Sequence, residues 1–141
     1  MNDVRKYGMT PFTLTVVHGG PGAPGEMAPV ARELSTSTGV LEPLQSATSV
    51  DGQVCELKNV IEKNGNRPII LLGWSWGAWL SYIFTARYPS YVKKLILVSS
   101  GPFEDNYARD ILTIRLNRLD EDEQKEVRIV INALANPTEI H

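Results

Sequence analysis

Apolar residues follow two rhythms along this chain. Phe12 to Val17, Ile69 to Leu72 and Leu95 to Val98 are short runs rich in β-branched or aliphatic side chains. The last two lack alternation altogether, the pattern of strands buried on both faces. Gly39 to Leu44 reads as a weaker strand. Between these runs the spacing turns helical. Glu26 to Leu34 is compatible with a helix carrying Pro29 in its first turn. Val50, Val54, Leu57, Val60 and Ile61 repeat at helical intervals behind Ser49, a predicted N-cap, and Asn64-Gly65 ends that helix. Cys55 falls on its predicted inner face, as a packed thiol. Ala78 to Tyr88 is apolar nearly all round, which predicts a buried helix, and Pro89 stops it.

Strands alternating with helices predict a parallel sheet of about four strands, covered by helices on each side. After Gly101-Pro102 the pattern changes. Tyr107 to Leu119 mixes Ile111, Leu112, Ile114, Leu116 and Leu119 with three arginines. Asp120 then reads as an N-cap with Glu123 as its capping-box partner, opening a helix with the stripe Val127, Val130, Ile131 and Leu134. Asn136-Pro137 breaks it before His141. These two amphipathic helices read as an appended piece, so residues 1–102 are expected to form the core and 103–141 a separate helical part.

Composition narrows the function more than the fold. The 141 residues are one domain's worth of chain, and 43% hydrophobic with 21% charged content is ordinary for a soluble protein. Fourteen basic and 16 acidic residues are interspersed, for a net charge of −2, which argues against nucleic acid or an anionic membrane as partner. No apolar run reaches the ~20 residues of a membrane span, and Met1 to Met9 has no apolar signal core. A single cysteine fits a reducing cytoplasm. Cys55 and two distant histidines cannot build a metal site, and the glycines from Gly19 to Gly25 lack the register of a nucleotide-binding loop, so no cofactor is expected.

Two loops carry chemistry. Gly73-Trp74-Ser75-Trp76-Gly77 stands between a strand and a helix, the layout of a nucleophile elbow, in which Ser75 occupies a tight turn that glycines two before and two after make room for. His18-Gly19-Gly20-Pro21-Gly22 follows an earlier strand. Both loops leave the C-terminal ends of strands that should be neighbours, where open α/β sheets place their sites. Small residues there let backbone N–H groups approach a developing oxyanion.

On these two motifs, and on Tyr88-Pro89 followed by Val92 to Val98, the chain resembles the α/β-hydrolase superfamily, in its prolyl-iminopeptidase-like branch, over residues 12 to 103. The resemblance implies the central part of that α/β fold plus a partial helical cap. It implies Ser75 as nucleophile, the amides of Trp76 and Gly20 as oxyanion hole, and His18 and Gly19 as shapers of the loop. The family's acid and base follow later strands that this sequence does not present, and strands usually precede the His-Gly-Gly loop. The chain therefore reads as a truncated member.

The remaining candidates are few. His18 reads as structural, and His141 as a terminal residue. Glu104 and Asp105 follow the last strand as solvated carboxylates, and Asp51 complements the dipole of its helix. Trp74 and Trp76 flank Ser75 and are candidate walls of an apolar pocket; Trp79 clusters with them. One expectation is a serine hydrolase acting on an ester or a small amide, such as an N-terminal proline peptide, with acid and base supplied from outside. The alternative is a catalytically inactive hydrolase fragment serving as a binding or assembly module. In both, exposed sheet edges favour a homo-oligomer or a partner chain that supplies strands.

Overall fold

The computed structural model describes residues 3–135. His141 and the Asn136-Pro137 break lie outside them. Two compact units are present, Met1–Gly101 and Pro102–His141.

The first unit is a five-stranded sheet in the order β1-β3-β2-β4-β5. Its strands are β1 (Val4–Tyr7), β2 (Phe12–Val17), β3 (Gly39–Pro43), β4 (Ile69–Trp74) and β5 (Val92–Val98). β2 to β5 run parallel, and β1 pairs antiparallel with β3, Val4 opposite Pro43 and Tyr7 opposite Val40. Three helices cover the sheet: α1 (Ala28–Leu34), α2 (Val50–Asn64) and α3 (Trp76–Arg87). On one face Val17, Ile69 and Leu71 pack with Val54, Leu57 and Ile61 of α2 and Leu80 and Phe84 of α3. On the other, Leu14, Val16 and Val40 pack with Met27 and Ala31, flanked by Ile70, Leu72 and Trp74.

The chain leaves β2 toward the α1 layer and leaves β4 toward the α3 layer. β2 and β4 are neighbours, in register from Leu14–Ile70 to Val17–Gly73. Connections diverging to opposite faces from adjacent strands open a crevice at the strands' C-terminal ends. Both glycine loops meet there.

Several expectations need correction. β1 lies in a stretch that reads as polar and charged, and it does precede the His-Gly-Gly loop. Only its end residues are half-buried, so hydrophobic pattern could not reveal it; hydrogen bonding to β3 makes it a strand. β5 begins at Val92, before the apolar run, and is not covered on both sides: Leu97 and Val98 are each 38% exposed. Among the described residues it forms the sheet edge. In α2 the inward positions are Gln53, Val54, Leu57, Val60 and Ile61, while Val50 is exposed. Cys55 is exposed as well, rotated about 100° from Val54, and is not a packed thiol. In α3, expected to be buried all round, Tyr82 is exposed, while Ser81 is buried. α2 does end at Asn64, as read, with Gly65 in an extended conformation.

Other local signals act as read. Ser49 Oγ accepts from the Gly52 amide at 3.1 Å. In the second unit, α4 (Asp105–Leu116) is followed by α5 (Glu121–Ala135). The capping box is formed: Asp120 Oδ1 accepts from the Glu123 amide at 2.9 Å, and Glu123 Oε2 accepts from the Asp120 amide at 3.1 Å. Val130 and Leu134 of the α5 stripe are exposed. No helix among the described residues is long and apolar enough to cross a membrane.

Candidate active site

Ser75 joins β4 to α3 in an unusual backbone conformation, φ 53° and ψ −116°. This is the mirror image of the extended region, which suits the first central residue of a type II′ turn and is uncomfortable for any residue with a Cβ. The geometry shows why glycines stand on either side. A Cβ on Gly73 would run into the Gly77 carbonyl and lie 2.7 Å from Ala78 Cα, and one on Gly77 would strike the carbonyl oxygens of Val17 and His18. All of these are backbone atoms, so no rotamer change relieves the overlap. The elbow thus locks α3 onto the end of β2 and brings the two loops together.

The amides around Ser75 are divided by function. Its own N–H donates to the Val98 carbonyl at 2.9 Å, extending the β4–β5 ladder by one residue. Trp76 is the first residue of α3, so its amide has no acceptor within the helix. On the opposite loop Gly20 adopts φ +47°, a conformation that favours glycine. The loop is braced from two sides. His18, fully buried, holds the Gly19 carbonyl through Nδ1 at 2.8 Å, and the Gly19 amide donates to Glu26 Oε2 at 3.0 Å. Gly19 also has no room for a Cβ, which would lie 2.8 Å from Trp74 Cδ1.

The three tryptophans do not form one cluster. Trp74 lies on the α1 side, where it lines an apolar groove with Met27, Val30, Leu72 and Val98. Trp76 and Trp79 pack edge to face with ring centroids 6.0 Å apart and line a concavity with Ser75 and Gly101. Their indole N–H groups are both engaged, Trp76 with Gln53 Oε1 at 2.8 Å and Trp79 with the Gly101 carbonyl at 3.1 Å.

Among the described residues, no hydrogen bond joins Ser75 to a histidine or a carboxylate. His18 Nε2 is buried without a hydrogen-bond partner. Asp51 is tied to Arg87 at 2.6 Å on the surface. Glu104 precedes α4 and Asp105 opens it, both exposed in the second unit. No group of His, Cys, Asp and Glu that could hold a metal is found among the described residues. Sequence reasoning missed Glu26, Gln53 and Gly101. Only Gln53 had a signal, a polar residue one place before Val54 on a helix whose neighbours face inward.

Residues 42–131 match the family model described as alpha/beta hydrolase fold. The chain belongs to that family. The match includes the Ser75 elbow, α4 and the greater part of α5, and begins after the His-Gly-Gly loop. The α/β-hydrolase chain is also similar to solved structures. VinJ is 21% identical with a TM-score of 0.80, over 96% of this chain and 52% of that one. Proline iminopeptidase from Mycobacterium smegmatis is 20% identical with a TM-score of 0.76, over 95% and 52%. The thioesterase domain from the curacin biosynthetic pathway is 22% identical with a TM-score of 0.64, over 78% and 46%. At such identities the likeness is one of fold. The α/β-hydrolase chain spans about half the length of these solved chains. No curated protein matches its sequence.

Proposed function

We propose that this chain carries the nucleophile half of a serine hydrolase acting on an ester or a small amide. Ser75 attacks the carbonyl, and the amides of Trp76 and Gly20 hold the oxyanion that forms. One such donor typically contributes about 3–4 kcal/mol to lowering the barrier. The observation that carries the reading is the conformation of Ser75, φ 53° and ψ −116°, at the head of α3 beside a braced glycine loop. Backbone strain of this kind is retained where its surroundings enforce it, and such sites are commonly functional. Thioesterase and iminopeptidase among the structural neighbours agree with an acyl substrate, and an N-terminal proline peptide is the amide we favour. No cofactor is required.

A serine hydroxyl needs a base. We place base and acid outside the described constellation, on a partner chain or a second copy pairing with the β5 edge. Residues 103–141 then serve as part of a helical cap. The single cysteine favours a cytoplasmic setting. The second reading, an inactive binding module, is favoured by the absence of any base hydrogen-bonded to Ser75 among the described residues.

Labelling with a fluorophosphonate, read by intact mass with Ser75→Ala as control, tests the proposal. A single adduct that Ser75→Ala abolishes is expected. No adduct on folded protein, alone or after dimerisation, would leave the binding module.

A further inference from the structure

The proposed chemistry leaves the buried Glu42 without a role. Glu42 lies near the C-terminal end of β3 and is fully buried, yet its Oε1 has no hydrogen-bond partner among the described residues. A carboxylate so placed is costly unless a partner compensates it. Two residues of β1 do so. The Tyr7 hydroxyl donates to Oε2 at 2.6 Å, and Arg5, opposite Glu42 in the β1–β3 register, brings Nη1 within 3.8 Å of the same oxygen.

Arg5 reaches beyond this pair. Gly25, at the far end of the glycine loop, adopts φ +93°, and a Cβ built there would lie 2.6 Å from Arg5 Nη1, 3.3 Å from Cζ and 3.4 Å from Nη2. The guanidinium therefore occupies the place of the missing side chain and rests against the loop backbone. Glycine suits both the φ and the close approach. A flat guanidinium can serve a carboxylate and a backbone at once, which the compact ammonium of lysine cannot.

The next residue is Glu26, whose Oε2 accepts from the Gly19 amide at 3.0 Å. His18 Nδ1 holds the Gly19 carbonyl at 2.8 Å. In a trans peptide the following N–H, that of Gly20, points opposite to this carbonyl, so the two bonds to Gly19 together set its direction. Fixing the Gly25 backbone fixes the point from which Glu26 reaches back.

We propose that Arg5, anchored by Glu42, is a positioning residue for the oxyanion loop: it fastens Gly25, so that Glu26 holds Gly19 and the Gly20 amide is aimed. The oxyanion rests on the hydrolase reading; the fastening of the loop does not.

Amide hydrogen exchange on the intact chain, resolved by residue in NMR, tests this, with urea midpoints measured alongside. Arg5→Met keeps the aliphatic stem and loses the guanidinium. It should speed exchange at Gly19 about fivefold to tenfold, the worth of one lost hydrogen bond, beyond any change at Leu71 in β4. Arg5→Lys keeps a charge for Glu42, and should recover the urea midpoint but not the Gly19 protection. Should Arg5→Met fail to fold, its combination with Glu42→Leu, which leaves no charge buried, replaces it and should show the same Gly19 effect. Unchanged Gly19 exchange, a rise matched at Leu71, or Gly19 protection restored by lysine would overturn the proposal. Fluorophosphonate should label Arg5→Met more slowly than wild type by a similar factor, and equal rates would also overturn it. Failure of the wild type to label, with the exchange results as expected, would overturn only the hydrolase reading.

Discussion

Replacing Ser75 by glycine should make the protein more stable. At φ 53° and ψ −116° Ser75 lies outside even the small left-handed region open to ordinary residues. Holding a non-glycine residue in such a place costs about 1–3 kcal/mol. Glycine relieves that strain but gives back roughly 0.4–1 kcal/mol through a more flexible unfolded chain. The difference leaves a net gain of about 0–2.6 kcal/mol, centred on ~1.3 kcal/mol. For a unit of this size each kcal/mol raises Tm by about 4–8 °C. Ser75→Ala keeps the Cβ and therefore the strain, so it should stay within about 0.5 kcal/mol of wild type. Urea unfolding followed by tryptophan fluorescence measures both variants. A Ser75→Gly midpoint no higher than that of Ser75→Ala would refute the claim that strain is stored at the elbow.

Other perturbations have definite signs. Gly77→Ala drives a methyl into the Val17 and His18 carbonyls and should lose about 3 kcal/mol or more in urea unfolding; a midpoint like wild type would contradict the contact. Tyr7→Phe removes the 2.6 Å hydrogen bond to the fully buried Glu42 and leaves that carboxylate only Arg5 at 3.8 Å, a loss of about 1.5–3 kcal/mol. Burial, and then the bond to Glu42, raise the Tyr7 pKa above 10.0, so its contribution is complete below pH 10.0 and fades as pH climbs through the raised value; Tyr7→Phe should flatten that alkaline limb. Burial pushes the Glu56 carboxyl upward, but hydrogen bonds from the Ser46 hydroxyl and the Ala47 and Ser46 amides outweigh it and hold the pKa below 4.5. Its stabilisation is therefore present above pH 4.5 and lost as pH falls through the lowered value. Glu56→Gln should cost about 1 kcal/mol at neutral pH and remove that acid-side loss, as pH-dependent urea midpoints would show.

The centre of the parallel core was legible because β2, β3 and β4 are the more deeply buried strands: Ile69 to Leu72 is short, apolar and bounded by Pro68 and Gly73, which favours a strand over a helix. The elbow was legible because only glycine fits at 73 and 77, and that demand is written directly in residue type. β1 was not legible, since a charged edge strand of four residues is made by its partner and leaves no hydrophobic signature. The inward placement of Gln53 and the outward turn of Cys55 also escaped, because helical spacing fixes angles between residues while packing chooses the zero. Glu26 gave no signal at all. Its role depends on a loop folding back seven residues to offer the Gly19 amide.

The sequence by itself therefore determined the alternation of strand and helix, the turn that exposes Ser75 and the glycine loop opposite it. These depend on local sterics and periodicity, which act over a few residues. Only the tertiary structure decided the strand order, the exposed β5 edge, and the division that sends Trp74 to one face while Trp76 and Trp79 stand beside Ser75. Those outcomes depend on which surfaces meet across the sheet, and a residue's type does not specify its distant neighbours.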